Sequence, residues 1–260
     1  MAKIVKKILL FVLLLVVLIS GYGAWILLGS KTSNPNDYVN VGEIPAPRGF
    51  ERVSGTDTSY TTYLRSLPLK ACGAKVQLYT GGEARFQSLN YAVIDLPLLS
   101  NAEQCADVCM RLRAEYLYQT GQYSRIHFQN VNGKTMVFGG GSRKSFESYL
   151  RNLYGVASTF SLSRELTMRP LADMQPGDVF VYPARYGQKY GHAVMVVDVA
   201  VNKEGKKAFL LAEGNTPARN IHIMRNFENP FRSPWFMLDD DADNLLLSVF
   251  HYKVTDLKHF

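Results

Sequence analysis

The sequence is poor in cysteine and in charged residues, and these shortages exclude several classes of protein. Three cysteines in 260 residues are too few for the framework of a disulfide-stapled domain. A charged fraction of 20% beside 47% hydrophobic residues excludes a disordered chain and allows a substantial core. The net charge of +7 falls to +4 without Lys3, Lys6 and Lys7, and the rest is dispersed, so the sequence predicts no nucleic-acid partner.

Acidic residues are absent before Asp37, and no charged residue interrupts the 21 residues from Ile8 to Leu28. As an α-helix this run would span about 31 Å, which matches the hydrocarbon core of a bilayer. Lysines precede the run, so the positive-inside rule predicts a cytoplasmic N-terminus. We therefore expect a single-pass protein of the inner (cytoplasmic) membrane, anchored in the lipid bilayer, with a periplasmic domain.

A cleaved signal peptide is the alternative interpretation of this segment. Ser20–Ala24 partly fits a cleavage site of small residues, and cleavage there would release a secreted protein. The apolar run resumes at Trp25–Leu28, which favours the uncleaved anchor. The sequence thus divides into an anchor at residues 1–30, a polar linker at 31–43 and one domain at 44–260.

Periodicity and turn residues predict helices in the first half of the domain and strands mainly in the second. Helical spacing is found at Ser59–Leu67, Ser100–Tyr118 and Ser145–Val156. Strand patterns occur at Tyr91–Leu96, Val179–Tyr182, His192–Val201, Ala208–Ala212 and Ile221–Met224, with a hairpin around Asn132-Gly133. Helices followed by a meander of strands are typical of an α+β fold with an antiparallel sheet.

The longest predicted helix of the domain has signals at its start and along one face. Ser100 and Glu103 have the spacing of a capping box. Arg111 lies four residues from both Asp107 and Glu115, which is the spacing of ion pairs on a helix surface.

Two of the three cysteines lie on this helix. Cys105 falls in its second turn, where unpaired amides and the helix dipole favour a thiolate. Thiols four residues apart on a helix diverge, so Cys72 with either Cys105 or Cys109 is the only plausible internal disulfide. A purely structural role is the alternative, since Val108 and Leu112 complete an apolar stripe with both helical cysteines.

Residues that could assist a cysteine nucleophile follow in the strand-rich half. His192 stands at the start of one predicted strand, and Glu213-Gly214-Asn215 closes the next. A Cys–His site needs a thiolate, an imidazole that takes its proton and a polar group that fixes the imidazole tautomer. A residue of each of these three kinds occurs here in a suitable secondary-structure context, in the chain order Cys, then His, then Glu or Asn.

The stretch from Pro176 to Asn215, through PGDVFVY, GHAVMVVDV and EGN, resembles the second half of CHAP-type and NlpC-type cysteine amidases and peptidases. Gln104-Cys105 at a helix start is similar to their nucleophile motif. The resemblance implies a papain-like fold and cleavage of peptidoglycan peptides or related amides. It also implies Cys105 as nucleophile, His192 as general base and then acid, and Glu213 or Asn215 as the group that orients His192.

A second resemblance covers residues 44–257. Through QCADVCMRLRAEYLY, PGDVFVY and GHAVMVVDV the chain resembles an uncharacterised family of bacterial membrane-anchored proteins of unknown function. This resemblance implies no activity.

Two features depart from the CHAP pattern. Ala106-Asp107 replaces the aromatic pair that often follows the nucleophile, and 87 residues separate Cys105 from His192, so about 50 residues would be an insertion. The five histidines lack zinc-binding spacing, so no metal or cofactor is expected. The hypotheses are therefore a membrane-anchored hydrolase of cell-wall peptide or a related amide, and a catalytically inactive binding or scaffold module of the cell envelope.

Overall fold

The computed structural model describes residues 2–28, 36–185, 189–238 and 244–260. The helices of these ranges are α1 (Ala2–Leu28), α2 (Thr58–Arg65), α3 (Cys105–Gln119), α4 (Arg143–Tyr154) and α5 (Thr159–Glu165). The helices predicted at Ser59–Leu67 and Ser145–Val156 are confirmed as α2 and α4, and Asp57 and Ser142 cap them with their side chains.

Helix α1 is long and apolar enough to cross a membrane. Its span Lys3–Ala24 has a mean hydropathy of 2.6, and none of it is buried. By length and composition such a helix fits both a membrane anchor and a signal sequence. Part of the predicted linker, residues 31–35, lies outside the described ranges.

The end of that linker belongs to the folded domain. Val41 is fully buried beside Ile44, and its backbone N–H donates to the carbonyl of Leu67 at 3.1 Å. The N–H of Leu69 in turn donates to the carbonyl of Val39 at 2.9 Å. Val41, an apolar residue of the predicted polar linker, therefore packs in the core of the domain that follows.

Strands, most of them short, lie between and after these helices. They are β1 (Phe50–Arg52), β2 (Asn90–Val93), β3 (His127–Gln129), β4 (Thr135–Val137), β5 (Thr167–Met168), β6 (Val179–Tyr182), β7 (His192–Asn202), β8 (Lys207–Glu213), β9 (His222–Met224), β10 (Phe236–Met237), β11 (Asn244–Leu247), β12 (Phe250–Lys253) and β13 (Leu257–His259). Strands β3 and β4 form the hairpin predicted around Asn132-Gly133, and β6 to β9 confirm the four strands predicted after Pro176.

One antiparallel sheet organises the domain. Its strand order is β2-β9-β8-β7-β6-β13-β5, with β1 on the far end of β7 and β10 on β8. Strands β11 and β12 form a separate hairpin. The α+β class with a large antiparallel sheet is thus confirmed, and β7 and β8 lie at its centre.

The sheet is buried on both faces. Strand β7 gives one face to the core that contains α3 and the other to a second core that contains the β11–β12 hairpin. The first set of side chains is Ala193, Met195 and Val197, and the second is Val194, Val196 and Val199. A strand buried on both faces reads as an almost continuous apolar run, as the sequence of β7 does.

Asp198 interrupts that run and ties the start of the domain to the sheet. Its fully buried carboxylate accepts from Arg52 Nε at 2.6 Å and from Arg65 Nε at 2.8 Å. Arg52 and Arg65 also donate to the backbone carbonyls of Ile44 and Val53. Asp198 therefore joins α2, β1 and the entering chain to the central strand.

Helix α3 begins later than predicted, at Cys105 instead of Ser100. The backbone N–H of Gln104 donates to Asp107 Oδ2 at 2.9 Å, so Gln104 and Asp107 supply the capping interaction that was assigned to Ser100 and Glu103. Glu103 is instead buried, at 2.6 Å from Arg111 Nη1. The predicted Arg111–Glu115 pair is present at 3.5 Å, whereas Arg111 pairs with Glu103 in place of Asp107.

Candidate active site

Cys105 is the first residue of α3, one turn closer to the helix terminus than the sequence suggested. The first amides of a helix have no acceptor within it, and together with the dipole they favour negative charge at this position. The side chain of Cys105 is 7% exposed and hydrogen-bonds to His192.

His192 is the first residue of β7 and is 4% exposed. Its Nε2 lies 2.7 Å from Glu213 Oε2, so the other ring nitrogen is left for Cys105. Burial by itself lowers the pKa of His192, but the hydrogen bonds with Cys105 and Glu213 raise it to about 9. The thiol and the carboxylate on either side of the imidazole thus favour its protonated form.

Glu213 ends β8 and lies between two histidines. Strand pairing brings it opposite His222 of β9, and His222 Nε2 lies 3.2 Å from Glu213 Oε1. Burial would raise the pKa of Glu213, but the hydrogen bonds from His192 and His222 outweigh it and lower the value to about 2. Glu213 is therefore an ionised acceptor for both rings.

His222 extends the chain of hydrogen bonds beyond Glu213. Its Nδ1 lies 2.9 Å from the backbone carbonyl oxygen of Asn220, while its Nε2 faces the carboxylate. Both neighbours are acceptors, so both ring nitrogens are positioned to donate. The four side chains Cys105, His192, Glu213 and His222 thus form one continuous line, which we call the Cys–His–Glu–His line.

Asn215 lies outside this line. Its Oδ1 accepts from the backbone N–H of Thr216 at 2.7 Å, and Thr216 Oγ1 donates to Gln104 Oε1 at 2.8 Å. Of the two residues predicted as alternatives for orienting His192, the structure places Glu213 on the imidazole and Asn215 in the loop beside the helix start.

Gly214 allows the helix and the strand end to meet. A Cβ atom at this position would lie 2.6 Å from Val108 Cγ2 and 3.4 Å from the carbonyl oxygen of Gln104. Any side chain here would push α3 away from the end of β8. The close approach of Cys105 to the end of β8 therefore depends on glycine between Glu213 and Asn215.

The β11–β12 hairpin closes the site from the second core. Phe250 stacks on His192 with ring centroids 3.6 Å apart and an angle of 17° between planes. Tyr252 is buried near Cys105 and Glu213, and its hydroxyl has no hydrogen-bond partner among the described residues. Burial, assisted by the nearby Glu213 carboxylate, raises the pKa of Tyr252 well above its ordinary value, so this hydroxyl keeps its proton.

The sequence missed three residues that line the site. His222 lies within the predicted strand Ile221–Met224 but was not assigned to the site, and Phe250 and Tyr252 were not singled out. His222 could have been found by pairing the predicted strands as a meander, since the first residue of β9 then meets the last residue of β8. The two aromatic residues gave no such signal because their hairpin follows a long connection.

The three cysteines all lie in described ranges, and no disulfide joins them. Cys72 is exposed, whereas Cys109 is buried in the core and Cys105 contacts His192. The pairing of Cys72 with a helical cysteine, which the sequence allowed, is therefore not formed. In the described ranges no three His, Cys, Asp or Glu side chains are arranged to hold a metal ion.

Comparison with known proteins identifies a family. The chain matches the family described as domain of unknown function (4846) in two segments, residues 42–140 and 139–259. These segments contain the whole Cys–His–Glu–His line. No curated protein and no solved structure matches the chain.

Proposed function

The chain belongs to the family described as domain of unknown function 4846, and we propose that it is a membrane-anchored cysteine hydrolase of papain-like fold. Its substrate would be cell-wall peptide or a related amide. The observation that carries the proposal is the hydrogen-bonded order of Cys105, His192 and Glu213 at the start of a helix. This order supplies a nucleophile, a base and an orienting carboxylate.

In the proposed reaction the Cys105 thiol gives its proton to His192, and the sulfur attacks the amide carbonyl carbon. The carbonyl oxygen becomes an oxyanion near the N-terminal backbone amides of α3 and the hydroxyl of Tyr252, which has no hydrogen-bond partner among the described residues. His192 then protonates the leaving amine, which leaves a thioester on Cys105. A water molecule, deprotonated by His192, releases the carboxylic acid and restores the thiol.

Glu213 keeps the imidazole in place through these steps. It accepts from His192 Nε2, so the proton exchanged with Cys105 resides on the other nitrogen. The pKa of Glu213, lowered to about 2, keeps the carboxylate charged while His192 alternates between its two states.

The membrane attachment is part of the proposal. We infer that α1 remains as an anchor and that the domain lies on the extracytoplasmic side, because Lys3, Lys6 and Lys7 precede the apolar run. Protease added to spheroplasts should then digest the domain. Protection of the domain would contradict this orientation, and a mature chain that starts after Ser20 or Gly23 would show a cleaved signal peptide.

The activity is tested with Cys105→Ala and His192→Ala on purified muropeptides. Each should lower the rate by about 10³-fold or more, because a nucleophile and its base act as a unit. Cys72→Ala is the matched control, since it removes an exposed thiol that the line does not contain. Equal rates for Cys105→Ala and the wild type would contradict the proposal.

Alkylation with iodoacetamide supplies a readout that needs no substrate. At neutral pH we expect Cys105 to react faster than Cys72 or Cys109, and to lose this advantage in His192→Ala. Peptide mass spectrometry would separate its label from that on Cys72.

The burial of the site favours a second candidate function, that of a binding or scaffold module. Cys105 and His192 are almost fully enclosed, and Phe250 covers the imidazole. A binding or scaffold module that has kept the fold without the chemistry would have such a site. A folded, reduced wild-type protein that cleaves no muropeptide and whose Cys105 does not react would support this candidate.

A further inference from the structure

The loop at residues 226–235 presents a fully exposed aromatic residue. Phe231 at its tip is 100% exposed. The loop is closed by hydrogen bonds from Asn226 Nδ2 to the Trp235 carbonyl at 2.8 Å and from the Ser233 N–H to the Asn229 carbonyl at 3.1 Å. Because the backbone is held in this way, the exposure of Phe231 is a property of a structured loop.

Basic residues accompany Phe231. Arg48 and Arg232 are exposed and line, with Phe231, a cavity of about 430 Å³ whose inner wall includes Tyr91 and Trp235. The loop itself contains a single acidic residue, Glu228. An exposed aromatic ring flanked by arginines has the chemistry that fits the interfacial region of an anionic bilayer.

The surface lies where the anchor enters the domain. Tyr38 hydrogen-bonds to Tyr91, which lines the cavity beside Phe231. Only residues 29–35 separate the end of α1 from Asn36, and eight peptide steps reach at most about 30 Å. An uncleaved anchor therefore holds this side of the domain close to the membrane.

A second observation relates the loop to α1. Helix α1 contacts the turn at Gln87–Leu89, and Arg225 at the base of the loop donates to the carbonyls of Ser88 and Leu89 in that turn, both at 3.2 Å. Arg225 in turn lies over the ring of Phe227 within the same loop. The loop and the apolar helix are thus neighbours.

We propose that Arg48, Phe231 and Arg232 form a membrane-contact surface that rests on anionic lipid, with Phe231 inserted at the level of the headgroups. The proposal depends on the membrane anchor proposed above and is independent of the hydrolase chemistry. It gives the domain a defined orientation on the bilayer, which a tether alone would leave free.

The test reconstitutes the full chain in vesicles of phosphatidylcholine with phosphatidylglycerol. The photoreactive analogue p-benzoylphenylalanine replaces Phe231 in one variant and Phe160 in a matched control, because Phe160 is a half-exposed phenylalanine of α5. We expect lipid adducts at position 231 to exceed those at 160 by roughly tenfold, as insertion of one aromatic side chain favours. Arg48→Gln with Arg232→Gln should reduce the adducts in these vesicles and not in pure phosphatidylcholine.

The outcomes distinguish this proposal from the anchor on which it depends. A chain that does not float with the vesicles overturns both. A chain that floats and gives equal lipid adducts at 231 and 160 overturns the contact surface alone. Adducts from position 231 to a second copy of the chain would identify a dimer interface and would also overturn it.

Discussion

Two buried carboxylates in the central sheet each have two basic side chains as partners, and they have different roles. Asp198 is clamped by two arginines, which are always charged, whereas Glu213 is held by two histidines, whose charge can change. The two arginines connect Asp198 to three parts of the chain, and this network extends no further. One of the two histidines, His192, also contacts the thiol of Cys105, so a proton can move between Cys105 and His192. The type of partner, and not burial, separates the structural carboxylate from the candidate catalytic one.

Among the variants at these carboxylates, Glu213→Gln should have the largest effect on the rate of hydrolysis. An amide cannot hold His192 as the carboxylate does, so the rate of hydrolysis should fall by about 10³-fold, with a much smaller effect on unfolding. Asn215→Ala is the control and should change the rate only a few-fold, because Asn215 bonds within its own loop. Steady-state rates on muropeptides measure both, and a larger loss in Asn215→Ala would show that the orienting group was misassigned.

Asp198→Asn should have the opposite effect: a large loss of stability and no change in the reactivity of Cys105. It leaves Arg52 and Arg65 without their common carboxylate, and we expect the free energy of unfolding to fall by about 2–3 kcal/mol. Urea denaturation measures this change. Below the unfolding transition the variant should keep its alkylation rate at Cys105. A stable variant with an unreactive Cys105 would contradict the separation of the two carboxylates.

His222→Asn tests whether the outer histidine acts through Glu213. The rate should fall by about tenfold, comparable to the loss of an outer hydrogen-bond partner at a metal site. Because His222 helps to lower the pKa of Glu213, its removal should raise that pKa, which NMR titration of the Glu213 carboxyl carbon measures. A lower rate with an unchanged pKa of Glu213 would indicate a packing role only.

Asp107 of α3 also carries a buried carboxylate, and no cation pairs with it among the described residues. One oxygen accepts from Gln104, and the other has no partner in that part of the chain. Burial raises its pKa to about 8, so the folded state binds a proton that the unfolded state releases near pH 4. Its contribution to stability is therefore present at low pH and is lost as pH rises to about 8.

Asp107→Asn should remove this pH dependence. We expect the variant to be more stable than the wild type at pH 9, where the buried wild-type carboxylate must ionise, and nearly equal to it at pH 4. Thermal unfolding across this range measures the difference. A variant that is less stable at pH 9 would show that the carboxylate is charged and paired in the folded protein.

Local patterns were sufficient to predict most elements of the candidate site. The alternating strands, the Asn-Gly turn and the proximity of Cys105 to a helix start follow from short-range chemistry. The start of α3 was misplaced because Ser100 and Glu103 fit a capping box by spacing, whereas tertiary structure uses Glu103 to neutralise buried Arg111. A sequence pattern cannot reveal that a glutamate is needed by a residue eight positions away.

Contacts between residues that are far apart in the sequence were the second feature that sequence patterns could not predict. Glu213 and Asn215 are two residues apart, and both end the same strand pattern, so only the three-dimensional register distinguishes them. The contact of Phe250 with His192 joins residues 58 positions apart. Such contacts depend on how the β11–β12 hairpin folds back, which local periodicity does not encode.

The position of β7 has a consequence for how the candidate site is lost on heating. This strand pairs with β6, β8 and β1, and all but its last two residues are buried. Its amide protons should exchange with solvent only when the whole domain opens. Since His192 is the first residue of that strand, thermal inactivation and global unfolding should occur in one transition, with no partly folded species that lacks the site alone.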